Sequence, residues 1–529
     1  MIHAVYAMRR FLQRLILALL WLAGMLTALP AQSSLVAAQS AAPLYLIITP
    51  DAFASTLTDF VAVQQERGFQ VQVALLSQTG PDKEQIKNYI KRLFPRPRYV
   101  LLVGDSELIP TWPFTTFAFP PASTDLYYTT FTDNSYRPKT ILGRLPVHNA
   151  TDLTNYLSKL IAYYRMAAIP SWQQQISFIT TDHPTYAMDT EDDFNYIIAT
   201  DTTPTGYSGT FTGRDGAIAP TTGGDRLFPL TYNANSDDVV SIIGEGRAAI
   251  VYLGSGSPTS WDWNAGPFLS VNQVRTLSGP PIPLVLALAH KTADFATAES
   301  MADAWILSAQ SGALVYIGAS ADTQNNSARG LAYDFFYTEF YDFSTPRSVG
   351  ESLQASLQYL DKIFFPASGA KAEYERYQLF GDPSLSFRLP QGARLRTHKF
   401  YLPIDWDSQV TIPFSVENPG ETTETFELAI HSFALNPVAL DVYSVELAPG
   451  AATVVYATVQ MSTDYPVGAS DNITLTATQH EPLPADELIK TKITVSVQTF
   501  DPDIPLPLVK RSNFGKPYLR PDAAVGIIQ

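Results

Sequence analysis

The chain of 529 residues contains no cysteine. That absence excludes disulfide bonds, thiolate zinc sites, iron–sulfur ligation and a cysteine nucleophile. Charge is also sparse. Asp, Glu, Lys and Arg together make up 16% of the residues, against the usual ~25%, which fits a secreted protein better than a cytosolic one. The charge present is mostly of one sign: 50 acidic residues against 35 basic ones leave a formal −15. Such a chain repels phosphate backbones, so nucleic-acid binding is not expected. Histidine is scarce, with seven in all. No two stand four residues apart, so an HExxH zinc helix is absent. No GxxxxGK[ST] phosphate loop occurs. Gly254-Ser255-Gly256 has no glycine three positions on, so the dinucleotide fingerprint fails. The same run meets Pro258 without forming a GxSxG elbow.

Apolar residues reach 46% and aromatics 12%, enough to build cores and to exclude wholesale disorder. The length suggests roughly three domains. The first 38 residues read as a secretory signal peptide. Arg9, Arg10 and Arg14 precede the apolar run Leu15–Leu29, and small residues around Ala31 and Val36-Ala37-Ala38 offer cleavage points. A membrane anchor would need ~20 apolar residues. Cleavage removes three arginines and no acid, moving the charge to −18. No later run is long and apolar enough to span a bilayer, so no transmembrane segment is expected after signal removal.

Residues 43–390 read as α/β, in two parts, 43–165 and 166–390. Leu44–Thr49 is a continuous apolar run bounded by Pro50, as expected of a strand buried on both faces. Ala52–Arg67 has helical apolar spacing and ends at Gly68. Phe69–Leu76 is a strand, Asp82–Leu93 a helix and Tyr99–Val103 a strand. This alternation implies right-handed crossovers and a parallel sheet. Further on, Ala248–Leu253, Leu284–Ala289 and Ala313–Ile317 are strands. A helix from about Ala298 to Gln310, capped by Thr297 with Glu299 in its first turn, precedes the last of them. Tyr186–Asp237, rich in Thr, Asp and Gly, reads as loops with short elements.

From Ala393 the period changes to two. Ile412, Phe414 and Val416, then Val455, Ala457 and Val459, then Ile473, Leu475 and Ala477, then Ile493, Val495 and Val497 alternate with polar residues. Turns at Pro419-Gly420 and Pro449-Gly450 separate them. Residues 393–500 therefore read as an immunoglobulin-like β-sandwich, and 501–529 as a Pro-rich tail.

Candidate chemistry is positional. Ser255 and His290 each follow a predicted buried strand at its carboxyl end, where open α/β sheets form their sites. Ser255, flanked by Gly254 and Gly256, has the setting of a nucleophile and His290 that of a base. The structural reading of the same pair is a turn serine and a strand-ending histidine. Asp262, Asp294, Glu299 and Asp303 lie near enough in sequence to orient a histidine, or simply cap and solvate. Trp261 and Trp263 either line a pocket or pack. Asp125 either walls a cleft or serves a turn.

Eight stretches resemble, in order and spacing, the catalytic region of gingipain-type cysteine peptidases, whose fold is caspase-like. They are YVLLVGDSELIPT (Tyr99–Thr111), TDLYY (Thr124–Tyr128), GRLPV (Gly143–Val147), AIVYLGSG (Ala249–Gly256), PLVLALAHKTADF (Pro283–Phe295), ESMADAWILSAQSGALVYIG (Glu299–Gly318), SVGE (Ser348–Glu351) and YQLFGDPSLSFRLP (Tyr377–Pro390). Together they extend over about two thirds of the chain. The resemblance implies a caspase-like α/β region joined to an immunoglobulin-like domain, and peptide or protein partners. It also implies a dyad: a histidine inside a Gly-His-Gly loop and a cysteine after the next strand. Here those positions hold Ser255 and His290. Structural calcium is implied too. No Asp/Asn/Gly run has EF-hand spacing, so no ion is placed, and no other cofactor is expected. Three readings follow: a secreted pseudopeptidase that binds without cutting; a rewired hydrolase with Ser255 as nucleophile and His290 as base; and a surface or matrix component acting through residues 393–529.

Overall fold

In the computed structural model the described residues are 42–116, 119–132, 134–295, 299–341, 347–363, 367–398, 400–405, 408–461, 469–480 and 489–500. The expected signal peptide and tail lie outside them. All described secondary structure falls within Pro43–Gln529.

The first strands are β1 (Leu44–Thr49), β2 (Gln70–Leu75), β3 (Pro97–Val103), a hairpin of β4 (Trp112–Thr116) and β5 (Phe119–Thr124), and β6 (Ile141–Leu145). Then come β7 (Ile176–Thr180), β8 (Asp225–Leu227) and β9 (Ala249–Leu253). A small antiparallel meander follows, β10 (Ser255–Ser257), β11 (Ser260–Trp263) and β12 (Gly266–Ser270). The last three strands of this region are β13 (Ile282–Leu288), β14 (Ala313–Ala319) and β15 (Tyr377–Gly381).

Ten of these form one sheet in the order β2-β1-β3-β6-β15-β14-β13-β9-β7-β8. Every neighbouring pair is parallel except β14 and β15. The continuous apolar runs are explained by burial on both faces. In β1, Tyr45 and Ile47 enter one core while Leu46 and Ile48 enter a second on the opposite face, as the period of two requires.

Beyond Ala393 the strands are β16 (Arg394–Arg396), β17 (Tyr401–Asp405), β18 (Gln409–Glu417), β19 (Glu424–Ser432), β20 (Val438–Leu440), β21 (Ser444–Leu447), β22 (Ala452–Gln460), β23 (Ser470–His480) and β24 (Lys490–Phe500). They form two sheets, β16-β18-β22-β20 and β17-β24-β23-β19-β21. The alternating residues read from the sequence point inward: Ile412, Phe414, Val455, Ala457, Ile473, Leu475, Ile493 and Val495 share one core. The fold is thus an α/β region with a large, mainly parallel sheet, followed by a β-sandwich.

Several sequence expectations need correction. The stretch read as a helix over Ala52–Arg67 is a 3-10 segment, Asp51–Leu57, followed by a helix over Thr58–Glu66. Tyr186–Asp237 contains an 11-residue helix, Ala187–Ile197, that runs on as a π-helical turn to Thr202 and ends before Gly206 at φ +96°. Its apolar period is weak because polar groups are buried by distant partners. Asp193, 1% exposed, is paired with Arg329, and Glu191 accepts from the Leu230 and Thr231 N–H groups. The helix expected from Ala298 spans Met301–Leu307. Ser300 caps it, with Asp303 completing a capping box; Thr297 lies outside the described residues. Glu299 precedes the helix and pairs with the exposed Arg275.

Candidate functional site at the carboxyl edge of the sheet

Strands β9 and β13 are parallel neighbours, with Leu253 opposite Leu288. Ser255 and His290 each follow the strand end by two residues, so topology brings them to one edge of the sheet. The Gly254 N–H donates to the Leu288 carbonyl at 3.4 Å. A Cβ on Gly256 would stand 2.8 Å from Thr292 Cγ2 and 3.2 Å from Ala289 Cβ. The glycine therefore lets β10 close onto the loop that carries His290.

Ser255 is not in an open loop. It is the first residue of β10 and pairs with Asp262. The buried Tyr252 hydroxyl donates to both the Ser255 and Asp262 carbonyls, at 2.7 and 2.8 Å, which ties the meander to the end of β9. Asp262 in turn accepts from Ser260 Oγ at 2.6 Å.

His290 has 38% side-chain exposure. Its Nδ1 accepts the Thr323 N–H at 2.9 Å. A nitrogen that accepts carries no proton, so the ring is neutral with hydrogen on Nε2. Burial lowers its pKa below the ordinary 6.5, opposed by Asp322 and helped by Lys291 and Arg376. Asp322 lies 3.8 Å from Nδ1 and 3.1 Å from Lys291 Nζ. Lys291 itself has φ +56°, a left-handed backbone rare outside glycine. It is held by its N–H to Ala321 and by the Asp294 N–H donated to its carbonyl. Among the described residues no hydrogen bond joins Ser255 to His290.

The other candidates are distributed differently. Trp261 does not line a pocket: it is 0% exposed and stacks with Tyr252 and Trp305 at 4.9 and 5.8 Å. Trp263 packs on Phe268 at 4.2 Å and donates to the Thr180 carbonyl. Replacing Trp261 by phenylalanine is expected to lower stability by about 1–2 kcal/mol in urea denaturation, because the stack thins without emptying. Asp125 stands in the lining of a cavity beside β6 as the buried partner of Arg144, bound at 2.6 and 2.8 Å. Asp303 is consumed by the capping box, and burial raises its pKa. Asp322, Lys291 and Thr323 were missed by sequence reasoning. Their signal was available, since 322 and 323 follow β14 as His290 follows β13. Among the described residues no three His, Asp or Glu side chains gather to hold a metal.

A family model described as peptidase family C25 matches residues 38–388. The chain belongs to peptidase family C25. Its fold resembles the crystal structure of the Arg-specific cysteine proteinase gingipain R, with a TM-score of 0.55 and 15% identity over 87% of this chain and 99% of that one. The complex of Porphyromonas gingivalis RgpB pro- and mature domains gives 0.53 and 16% identity, covering 86% and 99%. A structure described only as a protease gives 0.54 and 17%, covering 86% and 97%. No curated protein sequence matches. The C25 region thus spans the large sheet and its edge loops. Among the described residues no helix is long and apolar enough to cross a membrane.

Proposed function

We propose that this protein is a secreted, catalytically inactive member of the C25 peptidase family that binds peptide or protein segments at the carboxyl edge of β9 and β13. The observation that carries the reading is the absence of cysteine from the whole chain, in a family whose gingipain relative is a cysteine proteinase. A thiolate attacks the peptide carbonyl and a histidine protonates the leaving amine. On the gingipain resemblance the two positions are His290 and Ser255, and neither fills the inherited role. The basic Arg9–Arg14 start and the apolar Leu15–Leu29 run support export.

The rewired alternative requires Ser255 to give its proton to His290. Ser255 sits in a paired strand without that hydrogen bond, and His290 Nδ1 is taken by Thr323. Oxyanion donors inherited around residue 290 would also be misplaced for attack from residue 255. One lost donor costs ~3–4 kcal/mol of transition-state stabilisation.

The test uses the full chain, mixed peptide substrates and a broad serine-directed phosphonate. The expected result is peptide binding without cleavage above background and without labelling of Ser255. Hydrolysis that disappears in Ser255→Ala or His290→Ala would overturn the reading.

A further inference from the structure

One edge of the β-sandwich is open over half a strand. On one side β18 pairs with β22 along its whole length, from Gln409 with Gln460 to Glu417 with Ala452. On the other side it pairs with β16 only at Ser415, Val416 and Glu417. β16 stops at Arg396, and the chain then changes sheets. By Tyr401 it is in β17, paired in parallel with β24. Among the described residues no strand lies beside Gln409–Pro413 on the β16 side of β18.

The ends of the β18–β22 ladder show which groups face that opening. The Met461 N–H donates to the Ser408 carbonyl, and the Asn418 N–H donates to the Ala451 carbonyl. Residues 408 and 418 therefore face β22. The pairing between them has no bulge, so the other even residues face β22 as well. Gln409, Thr411 and Pro413 face the opening. They present two N–H groups and three carbonyls, since proline has no N–H. Their side chains are exposed. Ile412 and Phe414 are fully buried in the sandwich core, and the half-buried Val410 packs against it.

An open edge is a template for a further strand. The chain supplies one at the right place. β24 ends at Phe500, opposite Asp405, the last residue of β17. Gln409, the first residue of β18, is four residues past Asp405. β16 lies against β24, so the opening is on the side of the sandwich where the chain continues past Phe500. Asp501-Pro502-Asp503 comes next, then Ile504-Pro505-Leu506-Pro507-Leu508. Four residues span up to about 13 Å, and packed sheets stand about 10 Å apart. A strand started from this end runs parallel to β18.

The prolines fix its orientation. Pro505 and Pro507 cannot donate, so Ile504, Leu506 and Leu508 are the residues able to bond to β18. In a parallel pair with the most bonds these stand beside Val410, Ile412 and Phe414, and neighbours in register share a face. Three aliphatic side chains then point to the core. The prolines sit on the outer side, where edge strands accept them, and each holds the residue before it extended.

We propose that Ile504–Leu508 adds to the open edge of β18 as a parallel strand. The Thr411 N–H donates to the Ile504 carbonyl. The Ile504, Leu506 and Leu508 N–H groups donate to the carbonyls of Gln409, Thr411 and Pro413.

The absence of cysteine makes a cross-linking test clean. The full chain is made as Thr411→Cys/Pro505→Cys, which pairs two outward neighbours about 4.8 Å apart, within disulfide reach. The comparison is Thr411→Cys/Pro507→Cys, offset along the strand to about 8 Å and beyond that reach. Mild oxidation followed by mass spectrometry is expected to close the first pair within one chain at least ~10-fold faster than the second. In hydrogen exchange, Leu506→Asp, which would bury a carboxylate, should speed the Thr411 amide at least ~10-fold. Pro507→Asp, the same charge on the outer side, should leave it slow. Equal closing rates for the two pairs, disulfides formed only between chains, or a Thr411 amide that Leu506→Asp leaves unchanged would overturn the proposal.

Discussion

Replacing Arg144 by methionine is expected to destabilise the α/β region by about 3–5 kcal/mol, because it strands a buried carboxylate. Arg144 and Asp125 are 1% and 4% exposed. With the guanidinium gone, the Asp125 carboxyl loses the two bonds that offset its desolvation. The Gly104, Asp105 and Ile109 carbonyls lose a donor in the same step, and the turn after β3 loosens. Asp125→Leu combined with Arg144→Met should recover much of the loss, since an apolar pair of similar volume removes the orphaned charge. Urea denaturation of the two single variants and the double variant completes the cycle. A change below ~1 kcal/mol for Arg144→Met alone would refute the assignment of this pair as a structural clasp.

Acidification from pH 8 to pH 5.5 is expected to stabilise the fold. Two carboxylates carry this effect. Asp201 lies in the π-helical turn Ile198–Thr202, and Glu339 lies in a second one, Tyr337–Tyr341. Burial pushes each up to about 7. Asp334 adds repulsion at Asp201, where Thr200 Oγ1 donates at 2.7 Å. Glu339 feels repulsion from Glu351, eased by the Ser352 hydroxyl and by Arg347 and Arg394. In the unfolded chain both titrate near 4. The folded chain therefore binds more protons between about pH 4 and 7, and stability falls as pH rises through that window. At about 1.4 kcal/mol per pH unit, ionising both groups costs several kcal/mol by pH 8. His290 opposes the trend, because its lowered pKa removes stability as pH falls below the ordinary histidine value. It is the weaker influence, being 38% exposed and partly screened by solvent. The urea midpoint should rise on acidification, and Asp201→Asn with Glu339→Gln should flatten the profile. A midpoint that falls from pH 8 to 5.5 would contradict the assignment.

The strands were legible where burial is two-sided or strictly one-sided. LYLIIT and the period-two runs after Ala393 have little freedom in where they go, because hydrophobic burial fixes the face of every residue. Helices with buried polar faces were not legible. Ala187–Ile197 carries Glu191 and Asp193 inward, and Leu230, Thr231, Arg329 and Tyr333, distant in sequence, make that tolerable. The same holds for Trp261: two tryptophans beside a glycine loop look like a pocket until one of them is found fully buried and stacked with Tyr252 and Trp305.

The absence of cysteine was decided by the sequence alone. No arrangement of the chain supplies a thiolate, so the chemistry by which a cysteine peptidase cuts is removed by composition. That Ser255 and His290 each follow the end of a buried strand also comes from sequence; that β9 and β13 are parallel neighbours, delivering both to one edge, was decided by the sheet. Tertiary structure alone decided what those residues touch. Ser255 is paired into a meander, and His290 Nδ1 is held by an amide 33 residues away. The single residue pair by which β6 joins β15, Arg144 with Phe380, is likewise invisible in sequence. Hydrogen-bond partners and voids arise from segments far apart in the chain, and local pattern records only burial and period.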